Sequence, residues 1–187
     1  PGWRVLTTTT TMIAPPGPAD RTLVVISPER YEAIGLLKQA LGEQRHVTVA
    51  TEHLPEQNKL RGVPPEWIPS LSSLVDVVLI EADGAKMKPF KAPAAHEPVV
   101  PAEATLLVPV VGIDAVGKPL NPETAHRPER VSALTGLPLE AAITPRIVAQ
   151  VLTHPDGGLK GFGGNRVVPL INKVESAQDL ANAREIA

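Results

Sequence analysis

The run Val75-Asp76-Val77-Val78-Leu79-Ile80 does most to limit what this chain can fold into. It is strand-length and rich in β-branched residues. Its apolar positions do not alternate with polar ones, so both faces of the strand need cover. It delivers Glu81-Ala82-Asp83-Gly84 at its carboxyl end. Leu23–Ile26, Thr105–Val111 and Val167–Ile171 are runs of the same kind, and Val47-Thr48-Val49 is a shorter one. Trp3-Arg4-Val5-Leu6 leads straight into the threonines Thr7–Thr11.

Helix signals separate these runs. Ser27 reads as a cap, with Pro28 and Glu29 in the first turn, Ile34, Leu37 and Leu41 on one face, and Gly42 as the stop. A second helix starts near Pro128 and ends at Gly136, and a third starts at Thr144-Pro145 and ends before His154-Pro155. Ser176-Ala177-Gln178-Asp179 is a capping-box pattern that opens a terminal helix. Residues 52–70 read as a proline-rich loop, 85–101 as an excursion with Pro and Lys, and 157–164 as a glycine-rich loop. Strands alternating with capped helices predict an α/β chain on a doubly wound, mostly parallel sheet, with helices on both faces. No repeat and no boundary stands out, so 1–187 reads as one domain.

Aromatic residues make up only 3% of the chain and prolines number 21, so the core must come from Val, Leu, Ile and Ala. The net charge of −2 gives no general attraction to nucleic acid or anionic membrane. The apolar runs are far too short to span a bilayer. The absence of cysteine excludes disulfides and thiolate metal sites and fits a cytoplasmic protein.

Ligands of open α/β sheets sit at the carboxyl ends of the strands, which selects four clusters: Thr7–Thr11, Glu81–Lys91, Gly112–Lys118 and Asn172–Glu175. Glu81 and Asp83 end a hydrophobic strand, where uncompensated charge is costly; a Mg²⁺-phosphate would compensate it, as would pairing with Lys86 or Arg61. The hydroxyls of Thr10 and Thr11 stand where a phosphate or Mg²⁺ would be met, or simply reflect strand propensity. Lys86, Lys88 and Lys91 suit an anion, a protein partner or a solvated loop. The segment Gly112–Pro119 comes close to a phosphate-binding loop but ends on Pro119, which offers neither hydroxyl nor N–H, so it reads as a turn in which Asp114 and Lys118 still face a ligand. His96, His126 and His154 lie near prolines without metal-ligand spacing, and no nucleophile elbow or dinucleotide fingerprint is present.

Asn172-Lys173-Val174-Glu175 resembles the guanine-reading motif of GTP-binding proteins, with Glu175 where Asp is usual. An Asn amide donates to a ring acceptor, the Lys stem lies over the base, and a carboxylate accepts from two N–H donors that guanine has and adenine lacks.

Taken together, Thr7–Thr11, the stretch Glu81–Lys86, Lys91-Ala92-Pro93, Glu97-Pro98, Val111–Leu120, His126–Arg130, Ile143-Thr144-Pro145, His154-Pro155, Leu159-Lys160-Gly161 and Leu170–Val174 resemble the YqeC family across nearly the whole chain. Its members are described as accessory proteins of selenium-dependent molybdenum hydroxylases. The resemblance implies a P-loop NTPase-like three-layer sandwich, that is, one nucleotide-binding-type α/β domain. Family members carry a glycine-rich loop ending in Gly-Lys-Thr-Thr ahead of the threonine strand. Here the chain opens about where the second strand is expected, so a first strand, P-loop and first helix of roughly 30 residues are expected to be missing.

The resemblance further implies binding of GTP or ATP with Mg²⁺. Asp83 would hold the metal directly or through water, and Glu81 would support that site or orient water, which makes these two the candidate catalytic residues. Thr10 and Thr11 would approach the phosphates, while Asn172, Lys173 and Glu175 would meet the base. The implied partner is a molybdenum hydroxylase or its cofactor machinery, with no nucleic acid or membrane. Two other readings stand beside this one. The first is a non-catalytic scaffold for the molybdenum cofactor or client enzyme, working through Lys86–Lys91 and His126–Arg130, with His126 and Arg127 at its centre. The second is a P-loop kinase acting on a small metabolite.

Overall fold

The computed structural model describes residues 2–161, 163–164 and 166–187; Phe162, within the glycine-rich loop, lies outside them. The chain packs as two compact units, Pro1–Gly84 with Val99–Glu103 and Ala85–Pro98 with Ala104–Ala187. The chain passes between the units three times, at Gly84–Ala85, Pro98–Val99 and Glu103–Ala104, so no single linker marks a boundary in the sequence. Among the described residues no helix is long and apolar enough to cross a membrane.

Unit 1 contains β1 (Val5–Thr9), β2 (Met12–Ile13), β3 (Leu23–Ile26), α1 (Arg30–Glu43), β4 (His46–Ala50), β5 (Glu52–Leu54), β6 (Lys59–Arg61), α2 (Ile68–Ser72) and β7 (Val77–Glu81). Its main sheet has the order β3-β4-β1-β7, with every pair parallel. Leu6, Val25, Val47 and Val49 turn to one face and pack on Ala33, Leu37 and Ala40 of α1 and on Trp67, Ile68 and Leu71. Each fully buried aliphatic side chain there contributes about 1.5–3 kcal/mol.

The expectation of an α/β chain with a mostly parallel sheet holds. Among the described residues of unit 1, α1 and α2 both pack on the same face of the sheet. The other face carries Thr7 and Thr9 beside Val5, and it leaves Val24 42%, Ile26 41% and Leu79 52% exposed.

Two local expectations are corrected. Residues 52–70 are not a loop: β5 and β6 form an antiparallel sheet with β2, in the order β2-β6-β5, and α2 follows. The helix expected from Ser27 begins instead at Arg30, after N-cap Glu29, and runs through Gly42 to Glu43. The buried Ser27 hydroxyl accepts the Glu29 N–H at 3.1 Å and donates to the Glu32 carboxylate at 2.6 Å, forming a turn ahead of the helix rather than its cap.

Unit 2 contains β8 (Phe90–Lys91), β9 (Leu106–Leu107), β10 (Val110–Gly112), β11 (Ala125–His126), α3 (Pro128–Thr135), α4 (Pro145–Leu152), β12 (Arg166–Val167), β13 (Leu170–Asn172) and α5 (Ala177–Ile186). The strands expected at 105–111 and 167–171 are each split in two. The breaks fall at Pro109 and Pro169, which stand opposite each other, and the parallel register is the same on both sides: Leu107 faces Val167 and Val110 faces Leu170. Val168 N–H reaches Leu107 O at 2.9 Å and Leu170 N–H reaches Pro109 O at 2.8 Å. Pro109 has no N–H to return to the other strand, so the ladder lapses there.

The helices match their sequence signals more closely. Gly136 ends α3 at φ 75°, a left-handed stop that glycine adopts freely. Thr144 caps α4, accepting the Ile147 N–H, and Val148, Val151 and Leu152 line its buried side. These residues pack with Phe90, Val111, Leu120, Val131 and Ile143 in a core of unit 2's own. Ser176 and Asp179 form the capping box of α5: the Ser hydroxyl accepts the Asp179 N–H at 3.1 Å and the carboxylate accepts the Ser176 N–H at 2.9 Å.

Candidate functional site

In unit 1, β1 and β7 are neighbours in a register that sets Thr9 beside Glu81. Thr10, Thr11, Glu81 and Asp83 therefore share the carboxyl edge of the sheet. The threonine hydroxyls serve the fold as well. Thr8 donates to Val49 O at 2.8 Å, Thr9 to Glu81 O at 2.6 Å and Thr10 to Val99 O at 2.7 Å, while Thr11 and Thr9 share a contact at 3.0 Å. Val99 also gives its N–H to Ala82 O at 3.0 Å, bridging the ends of β1 and β7. The end of β1 is closed further by Gly62 and Val63, whose N–H groups reach Thr11 O and Thr9 O, each at 2.9 Å. A Cβ at position 62 would lie 2.0 Å from the Thr9 carbonyl oxygen, so this approach requires glycine. Arg61, one of the suggested partners of the acids, instead pairs with Glu52 at 2.7 Å.

Among the described residues, no group of three His, Asp or Glu side chains could hold a metal ion by themselves. The oxygen donors of Glu81 and Asp83 nonetheless suit Mg²⁺ completed by phosphate oxygens and water, the usual way this ion is held. A broad cavity of about 680 Å³ in the same unit is lined by Pro16, Gly17, Arg21, Thr22, Val24 and Gln44. It includes the amino-terminal end of β3, away from the acids.

In unit 2 the register of β10 on β13 sets Gly112 opposite Asn172, which brings together two of the clusters selected from sequence. Asn172 Oδ1 accepts the Lys173 N–H at 2.8 Å. That bond fixes the amide so that its NH₂ end remains as donor. Lys173 holds a left-handed backbone at φ 61°, uncommon for a residue with a side chain and a mark of a constrained turn. Its ammonium bonds Asp114 Oδ2 at 3.2 Å, and Lys118 stands 3.8 Å from the same oxygen. Asp114 Oδ1 is enclosed and has no hydrogen-bond partner among the described residues. Glu175 is exposed, and its N–H donates to the Asp179 carboxylate at 3.3 Å. The near-P-loop Gly112–Pro119 forms a short 3₁₀ turn at Ile113–Ala115, and Pro119 pairs with Ala142 in a β-bridge rather than opening a helix.

A second cluster in unit 2 was not legible as one assembly. Glu97 accepts two bonds from the Arg127 guanidinium, at 2.6 and 3.0 Å, one from Lys91 Nζ at 3.2 Å and one from the Ala94 N–H at 3.2 Å. Burial pushes its carboxyl up, but the bonds from Arg127, the Ala94 N–H and Lys91 outweigh burial and hold it far below the ordinary carboxylate range. Arg130 Nε donates to Pro93 O at 2.6 Å, and Lys160 Nζ donates to the carbonyls of Ala94 and Ala95. Residues 93–97 are thus clasped by Lys91, Arg127, Arg130 and Lys160. His126, paired in register with Lys91, is pushed below its ordinary value by burial and then by the charges of Arg127, Lys91 and Lys86, with Glu97 opposing. The available signal was the grouping of Lys91, Glu97, His126–Arg130 and Lys160 in separate short motifs.

The family model described as YqeC protein matches residues 1–129. The chain belongs to the YqeC family. It is also similar to the uncharacterized protein YqeC of Escherichia coli (strain K12), at 32% identity over 133 residues, covering 70% of this chain and 52% of that protein. The chain thus spans about half the length of the curated relative it matches. No solved structure matches. The YqeC match takes in Thr10, Thr11, Glu81, Asp83, the 93–97 clasp's acid and Arg127, while Asn172, Lys173 and Glu175 lie beyond it.

Proposed function

We propose that this YqeC-family protein binds a nucleoside triphosphate with Mg²⁺, GTP in preference to ATP, and serves the maturation of a selenium-dependent molybdenum hydroxylase in the cytoplasm. The observation that carries the nucleotide reading is the strand-end turn at Asn172. Its amide oxygen is taken by the Lys173 N–H, so the amide presents N–H donors, the polarity a purine ring acceptor needs. Lys173, anchored by Asp114, has an aliphatic stem able to cover a base. Glu175 is the acid on hand for the N–H edge of guanine.

In unit 1, taken by itself, the acids at the end of β7 suit a Mg²⁺-phosphate site. Asp83, supported by Glu81, would hold Mg²⁺ directly or through water, with Thr10 and Thr11 toward the phosphates. Mg²⁺ there would neutralise phosphate charge. Calorimetric titration of the full-length protein with GTP and with ATP, each with Mg²⁺, tests this. Binding of GTP, weakened at least tenfold by Asn172→Ala, is expected; heat-silent titrations with both nucleotides would end the proposal.

The clasp around residues 93–97 favours a second reading, a scaffold that presents this ordered loop and the His126–Arg130 segment to the client enzyme. Capture of the hydroxylase without nucleotide, undiminished by Asp83→Ala, would favour that reading over the first.

A further inference from the structure

We propose that unit 2 carries a phosphoryl-binding pocket in which Lys86, Lys88 and His126 meet the ligand at the amino-terminal turn of α3. The proposal does not depend on the nucleotide reading.

The pocket is a cavity of about 330 Å³ whose lining includes Lys86, Lys88, His126, Arg127, Pro128 and Glu129. Its cations differ in what already neutralises them. Arg127 and Lys91 are committed to the Glu97 carboxylate. Lys86 and Lys88 form no ion pair among the described residues. Lys88 Nζ is nevertheless fixed, because it donates to Glu123 O at 2.9 Å. A carbonyl positions an ammonium without cancelling its charge.

Glu129 is the acid in the wall, and two uncancelled lysines outnumber it. Arg127, the N-cap of α3, makes no side-chain cap bond, and the helix dipole adds partial positive charge at this end. Lys86, Met87 and Arg127 all hold left-handed backbone, at φ 49°, 63° and 62°, so both rims of the pocket are pinned in conformations that side-chain-bearing residues seldom adopt.

Crowding cations around a half-buried imidazole is unfavourable until an anion arrives. A phosphoryl group suits the pocket, since two ammonium groups and a ring N–H are donors to tetrahedral oxygens. The volume leaves room for an attached alcohol as well as for free phosphate.

The His126 ring reports occupancy. The charged groups around it are Arg127, Lys91 and Lys86, with Glu97 opposing them. Inorganic phosphate, phenyl phosphate and sodium chloride at matched ionic strength would each be titrated into the full chain while the His126 ring resonances are followed by NMR. Saturable shifts with the phosphates, a His126 titration midpoint moving up toward its ordinary value, and at least tenfold weaker binding in the Lys86→Ala/Lys88→Ala double variant are expected. Lys38→Ala should leave binding unchanged. Tighter binding of phenyl phosphate would mark a phosphomonoester as the ligand, and equal binding would mark free phosphate. The same response to chloride, or a double variant that binds phosphate as well as the parent, would overturn the proposal.

Discussion

Unit 1 and unit 2 both end parallel strands on polar clusters, but they secure those ends by different means. In unit 1 the end of β1 is closed by backbone and hydroxyl groups: Gly62 and Val63 on the carbonyls of Thr11 and Thr9, and Thr9 and Thr10 on the carbonyls of Glu81 and Val99. In unit 2 the corresponding work falls to charges, with Arg127 and Lys91 on Glu97 and with Lys118 and Lys173 on Asp114. Neutral bonds contain no titrating group, whereas an ion pair weakens once its acid is protonated or its lysine loses a proton. The strand ends of unit 1 should therefore be fixed mainly by steric fit, and those of unit 2 by the state of a few acids.

The largest effect that would break this contrast is expected from Gly62→Ala. The new Cβ would fall 2.0 Å from the Thr9 carbonyl oxygen, and that atom is backbone, so β1 or β6 must move. A loss of about 3 kcal/mol is expected, read as a lower urea midpoint, with amide protection lost in β1 and β6 and retained in β10 and β13. A neutral outcome would mean that the strand end of unit 1 is not closed by fit.

Glu97→Gln sharpens the contrast from the other side. It leaves Arg127 and Lys91 half-buried beside an amide, at an expected cost of about 2–3 kcal/mol confined to unit 2. The pH dependence has the same origin. The folded-state Glu97 carboxyl lies below its ordinary value of 4.5, so its contribution is complete above that value and fades as pH falls. His126 also lies below its ordinary 6.5, so the folded state resists its protonation and loses stability as pH drops beneath that point. Hydrogen exchange at descending pH should show the β8 and β11 amides of unit 2 opening before the β1 and β4 amides of unit 1. Simultaneous opening would erase the distinction.

The smallest effect is expected from Ser176→Ala, which removes the cap of α5. A cost of about 1 kcal/mol is expected, seen as fraying of the helix by NMR, without change to the β10–β13 register.

What the sequence revealed and what it hid follow the range of the forces involved. Leu23–Ile26 and Val77–Glu81 were legible as strands because apolar runs bury on their own account, and α3, α4 and α5 because their caps and stops are local. The β5–β6 hairpin was hidden because its strands are short and polar and its partner β2 is a continuation of β1. Pro109 and Pro169 were visible as prolines, but their alignment across a parallel pair depends on register, which no local signal encodes. At the candidate sites the residue types were legible and their local duties were not. The threonine run looked free for a ligand, yet three of its hydroxyls serve neighbouring carbonyls. Asp114 was a face-of-the-loop residue in sequence and is the anchor of Lys173 in space.

The proline at position 169 reaches beyond its own pair of strands. Val168 and Leu170 direct their N–H groups inward, so the intervening ring sits on the outward rim of β12 and β13, where a chain seeking an extra strand would look for a donor. Leu106, Val110 and Leu170 leave greasy surface on this ribbon, the kind that usually invites fibrous stacking. A rim with a missing donor halfway along is a poor template for such growth, so concentrated protein should stay dispersed for as long as that proline remains.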